Sequence, residues 1–209
     1  MRSVISVFAL ILILQDLGVA QSRVQLPAHD TTGGMPLMEA LNHRRTSRSF
    51  DPKPLEVQML SDLLWAAFGV NRSDGHRTAP SAMNWQEIDV YLATADGLYL
   101  YEAGSNSLLQ ISREDLRGLT GTQSFVRDAP VDLIYVSNFS KTARASEENR
   151  LMWTSADCGF IAQNVYLFCA SEGLSCVVRG SIDKPALAKA MRLGEDQKII
   201  LSQTVGYPR

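Results

Sequence analysis

Cysteine and histidine are scarce in this 209-residue chain, which has three of each. No histidine stands at metal-ligand spacing from a cysteine or another histidine, so a zinc or iron site of the N/S type is not expected. Three thiols, Cys158, Cys169 and Cys176, do not make a disulfide scaffold. Cys158 and Cys169 fall on what reads as one helix, roughly 16 Å apart, too far to pair. Cys169 and Cys176 could meet across a short connection, but buried inert thiols are the simpler reading. Charge of one sign is also missing, with 20 basic against 22 acidic residues. Apart from one short cluster there is no basic face of the kind that binds nucleic acid. Repeats, low-complexity tracts and internal linkers are absent too.

Long apolar runs are likewise missing. Val4 to Leu14 is apolar apart from Ser6, but it is shorter than the roughly 20 residues that span a bilayer. It follows Met1-Arg2-Ser3 and precedes Val19-Ala20. This is the layout of a secretory signal peptide over residues 1–20, cut after Ala20, with an uncleaved anchor as the alternative. No arginine pair and no cysteine after the small residues point away from twin-arginine export and a lipid anchor. The expectation is an exported, periplasmic protein with no stable membrane insertion once the leader is removed.

What is present suffices for one domain. Residues 21–34 are polar and irregular and read as a flexible arm. Pro36 opens a helix with Leu37, Met38 and Leu41 on one face. A second helix follows Pro54, with Leu63, Leu64, Ala67 and Phe68 at helical intervals. Ile88, Val90 and Leu92 alternate with Asp89 and Tyr91, and Ala95-Asp96-Gly97 turns the chain into a hairpin. A short strand near Leu108, a helix at Asp115-Leu116-Arg117, and a buried strand over 131–136 come next. Residues 147–171 read as a long helix closed by Gly173, and Cys176 resumes extended structure. Pro185 starts a further helix, and 199–205 is a terminal strand. Helices and strands mix without strict alternation, which predicts a single α+β domain over residues 35–209.

Two short segments carry chemistry. Arg44-Arg45-Thr46-Ser47-Arg48-Ser49-Phe50 offers guanidinium forks and a hydroxyl, which suit a phosphate. A solvated helix end has the same composition. Pro80-Ser81-Ala82-Met83-Asn84-Trp85-Gln86 supplies a turn and a carboxamide able to donate and accept, which suits the edge of a flat heterocycle. A ligand with a phosphate at one end and a hydrogen-bonding ring at the other needs both.

Together these segments resemble the nitroreductase family of flavin mononucleotide (FMN) enzymes. The first is similar to that family's Arg-Arg-Ser-x-Arg-x-Phe signature, the second to its Pro-Ser-x-x-Asn-x-Gln segment. Asp128-Ala129-Pro130, the run Asp157 to Asn164, Glu172-Gly173-Leu174 and Val205-Gly206-Tyr207-Pro208 resemble later landmarks in the right order. Leu63 to Ala67 and Gly97-Leu98-Tyr99 resemble the short branch related to SagB-type dehydrogenases. The resemblance implies a three-layer α/β/α fold with a mostly antiparallel central sheet, and a homodimer with its active site between subunits.

It also implies roles. Arg44 and Thr46 hold the phosphate and ribityl end, with Arg45 nearby and Arg209 as a second phosphate contact. Arg48 approaches the pyrimidine side, Asn84 bonds its carbonyl and imide edge, and Pro80 and Ser81 shape that pocket. The backbone at Arg179-Gly180 approaches the reactive flavin nitrogen. Chemistry is then on the cofactor, so no catalytic acid or base and no metal ligand is named. The implied function is electron transfer from a reduced donor to a small electron-poor acceptor, a quinone or nitro compound. A non-catalytic exported flavin-binding protein is the alternative. Azoline-oxidising relatives use a Lys-Tyr pair; here Lys141 is followed by Thr142, and the pair occurs nowhere.

Overall fold

The central strands bury both faces, and the rest of the architecture follows from that. The computed structural model of the protein describes residues 22–142 and 144–209. The expected leader therefore lies outside the described residues. Seven strands form one sheet: β1 (Arg23–Gln25), β2 (Ile88–Thr94), β3 (Gly97–Glu102), β4 (Ser107–Ser112), β5 (Val131–Asn138), β6 (Ser175–Arg179) and β7 (Gln197–Gly206). Their order is β1-β4-β3-β2-β5-β7-β6, and every pairing is antiparallel.

Side chains alternate across a strand, and here each face has its own core. Val90, Leu92, Leu133 and Tyr135 pack with Leu63, Phe68, Ile161 and Val165. Tyr91, Ala93, Ile134 and Val136 pack on the opposite face with Leu116, Leu187 and Met191. The first layer is built from α2 (Val57–Phe68) and α3 (Glu147–Ser171), with α1 (Leu37–His43) against α3; α4 (Lys184–Met191) covers the second face. The protein is thus α+β, in three layers.

Local signals explain the helix bounds. Ser146 caps α3 by accepting from the Asn149 N–H, with Glu147 and Glu148 in the first turn, where the helix dipole favours acids. Gly173, at φ +68°, ends it in the left-handed conformation glycine tolerates. Asp183 caps α4, and Pro185 sits in its first turn.

Two expectations change. Arg23–Gln25, within the segment read as an irregular arm, pairs with β4, and Arg23 clamps Glu102 at 2.7 Å. An edge strand this short leaves too little alternation to be read from sequence. Asp115-Leu116-Arg117 leads into a 3₁₀ turn at Arg117–Leu119, because Asp115 Oδ1 accepts the Arg117 N–H and competes with helix. The apolar face of α1 is solvent-facing, with Met38 75% exposed; α1 reaches the core through Ala40 instead.

One buried ion pair ties four segments together. Arg179 donates to Asp132 Oδ1 at 2.7 Å, to the Thr120 carbonyl at 2.7 Å and to Thr204, and Arg179 and Asp132 are 5% and 0% exposed. Removing one partner of such a pair strands a buried charge. Arg179→Met is expected to cost about 3–5 kcal/mol in urea unfolding, and Asp132→Leu/Arg179→Met to recover most of that loss.

Candidate functional site

Residues 44–50 leave α1 as an extended loop laid across the ends of β6 and β7. The Ser47 N–H donates to the Cys176 carbonyl at 2.9 Å, and the Asp51 N–H to the Tyr207 carbonyl at 2.9 Å. Phe50 is the buried anchor, packed on Ala129 and Val177. Gly206 lets this crossing close, since a Cβ there would lie 2.6 Å from Pro130.

The loop's polar groups meet Tyr166. The Tyr166 hydroxyl accepts the Val178 N–H at 3.0 Å and contacts Thr46 Oγ1 at 3.0 Å. A buried tyrosine hydroxyl needs such partners, and here they fix where Thr46 sits. Arg44 lies 5.4 Å from the same ring. A cavity of about 380 Å³ is lined by His43, Arg45, Ser47, Tyr166, Ser175 and Arg209, among others. Arg45 and Arg209, far apart in sequence, therefore share one cavity. Among the described residues no carboxylate lies within ion-pair distance of Arg44, Arg45, Arg48 or Arg209. Guanidinium groups left this free are the donor set an anionic oxygen cluster requires.

The second segment is a tight turn. Met83, Asn84 and Gln86 have φ of 53°, 52° and 48°, a conformation costly for residues with a side chain. Several bonds hold it. Asp157 Oδ2 accepts the Ala82 N–H at 2.9 Å, and Ser81 Oγ accepts the Gln86 N–H at 3.0 Å. Lys141 Nζ reaches the Gln86 carbonyl at 3.1 Å, and Trp85 packs against Trp153. Ser81 thus closes the turn on itself, while Pro80 and Asn84 are exposed. Beneath the turn lie Glu87 and Asp157, 1% and 3% exposed.

The two segments are held at different points along α3. Asp157 under the turn and Tyr166 under the basic loop are nine residues apart on α3, about 13.5 Å at 1.5 Å per residue. The Arg179 guanidinium is committed to the interior, whereas Gly180 just beyond it is exposed. Tyr166 is buried within the protomer, where its hydroxyl has two partners. Sequence reading left Asp157, Glu87 and Arg77 without a role. Only the rule that buried polar groups need partners could have flagged the first two.

A seven-stranded antiparallel sheet between helical layers, bearing a free basic loop, defines the fold class, and the comparisons define the family. The nitroreductase family model matches residues 41–207. A crystal structure from Ralstonia eutropha, described as a nitroreductase, is 45% identical with a TM-score of 0.87 and covers 92% of both chains. A nitroreductase-named protein of Methanocaldococcus jannaschii is 30% identical over 169 residues, 76% of this chain and 85% of the relative. Chloronitrobenzene nitroreductase of Comamonas testosteroni is 23% identical over 208 residues, 81% of this chain and 85% of the relative. The chain belongs to the nitroreductase family, a family of oxidoreductases.

Burial pushes the Glu87 carboxyl up to about 7, and neighbouring Asp157 adds to the rise. The folded protein then keeps a proton that the unfolded chain, with an ordinary Glu near 4.3, has released. Stability should fall as pH rises from about 4.5 to 7 and level off above that, by a total on the order of 3 kcal/mol. Glu87→Gln should flatten that stretch of the profile, as measured by denaturant unfolding across pH.

Proposed function

We propose that the protein is a homodimeric FMN-dependent oxidoreductase passing electrons from a reduced donor to a nitro compound or quinone. The observation that carries the reading is the set of carboxylate-free guanidinium groups at Arg44, Arg45, Arg48 and Arg209 beside the Thr46 hydroxyl. Arg45 and Arg209 share a cavity of about 380 Å³, and with Arg44 over the Tyr166 ring and Thr46 on its hydroxyl they offer the charge and donors that a phosphate and its ribityl neighbour need. When bound, FMN supplies the hydride chemistry. The protein's residues would bind and orient it, and the Arg48 cation would stabilise the negative charge that reduction places on the ring. A relative named for chloronitrobenzene reduction supports nitro compounds as acceptors.

The dimer follows from α3. Leu151, Met152 and Phe160 are exposed on it, and Leu37, Met38 and Leu41 on α1, apolar side chains that a second copy would cover. Two antiparallel α3 helices crossing near residue 161 would set the Asn84 turn of one copy level with the basic loop of the other. The ring and phosphate contacts of one flavin would then come from two subunits. The leader over residues 1–20 would deliver the protein to the periplasm, where the donor need not be a nicotinamide nucleotide.

The purified protein should be yellow and release FMN on denaturation. Arg44→Ala should weaken FMN binding about tenfold or more, the worth of a charge-assisted contact, with Arg72→Ala in the neighbouring loop unchanged. Equal FMN dissociation constants for the two variants would remove the phosphate site. In sedimentation, Phe160→Glu should run as a monomer with its FMN lost; a flavin-loaded monomer would disprove the shared site.

A further inference from the structure

We propose that Glu87 is a positioning residue that works as a neutral acid. Its carboxyl donates to Asp157, Asp157 holds the 82–86 turn in its strained shape, and the turn loosens when the proton leaves. This latch acts on the turn itself, whichever ligand the site takes, and so goes beyond the flavin reading. Both carboxyls are shut away from water, Glu87 at 1% and Asp157 at 3% exposed. Among the described residues neither has a cation within ion-pair distance. Lys141, which is bound to the same turn, is directed at the Gln86 carbonyl and at Asp89.

The partners of each oxygen place that proton. Glu87 Oε1 accepts from Thr154 Oγ1 at 3.5 Å, a long contact, and Oε2 is buried with no donor turned towards it. The hydrogen-bond neighbour of the Glu87 carboxyl is the Asp157 side chain. Two ionised carboxylates can only accept, and buried side by side they cannot both stay charged. A proton on Glu87 removes both faults, because the acid donates to Asp157 and one charge disappears. Cys158, which α3 also turns towards Glu87, stays a neutral thiol because burial raises it. Ser137 on β5, in contact with Thr154, is uncharged.

Asp157 passes the constraint on. Its Oδ2 accepts the Ala82 N–H at 2.9 Å, the amide that opens a turn in which Met83, Asn84 and Gln86 have positive φ. Backbone of that kind persists only under tethers. Burial, with Asp157 adding to it, keeps the Glu87 carboxyl protonated up to about pH 7. Above that, two like charges meet beneath the turn, and opening the turn to water relieves them. A carboxyl whose value is raised by folding stabilises the closed form in acid and loses that effect as pH rises through the raised value. The turn is therefore closed below pH 7 and loosened above it, and any ligand it grips is held more firmly on the acid side.

The test is hydrogen exchange of the Ala82 amide in the purified full chain, followed by NMR. Its protection factor should fall about tenfold between pH 5 and pH 9 as the pair is relieved by opening. Ile134, in the core of β5, should stay more protected than Ala82 throughout, because the turn opens without the sheet. Glu87→Gln, whose amide donates to Asp157 at every pH, should keep Ala82 at its acid-side protection across the range. The proposal is overturned if parental Ala82 protection does not change with pH, or if it equals that of Ile134, so that the turn opens only with the whole fold. It is also overturned if Glu87→Gln keeps the parental pH dependence. Should that variant not fold, the two parental readings decide alone. A protein that binds no FMN would remove the flavin reading and leave this one to be judged by the exchange data.

Discussion

Two polar side chains buried on α3 must find partners, and the loops that supply those partners form the candidate site. Asp157 takes the Ala82 N–H, and Tyr166 takes the Val178 N–H and meets Thr46. An unsatisfied buried group costs about 1–3 kcal/mol, so each loop is locked to the helix as firmly as a core contact would lock it. The helix is rigid, 25 residues long, and capped at its start. It therefore works as a ruler, holding the basic loop and the carboxamide turn at a set separation on one element.

The sheet serves the same end from below. Because β2 and β5 bury both faces, a slip in their register would disrupt the packing of both cores at once. The strand ends that carry the basic loop inherit that precision. β6 accepts the Ser47 N–H through Cys176, and the Arg179–Asp132 pair fixes β6 against β5 in the interior. Arg179 shows how a residue in a functional segment can belong wholly to the scaffold while the exposed Gly180 next to it faces outward.

The fold was largely legible in the sequence because its signals were strong and local. Strand alternation at Ile88, Val90 and Leu92, the long apolar helix closed by Gly173, and proline at the start of α4 each named an element. The edge strand at Arg23–Gln25 was not legible, since three residues carry no period. The site was half legible. Residue types at 44–50 and 80–86 announced their chemistry, but not the inward turn of Arg179. That depends on Asp132, a contact made through space that no local pattern encodes.

Three of the five non-glycine residues with positive φ among those described fall between Met83 and Gln86. Each such residue costs on the order of 1–3 kcal/mol, which only a heavily tethered segment tolerates. The tethers that hold this strained stretch also remove its freedom to rearrange. An incoming molecule meets a surface already in its final shape and forfeits little conformational entropy on docking. Selectivity at this end therefore comes from fit to a stiff template, and a poorly matched ring cannot induce the turn to accommodate it.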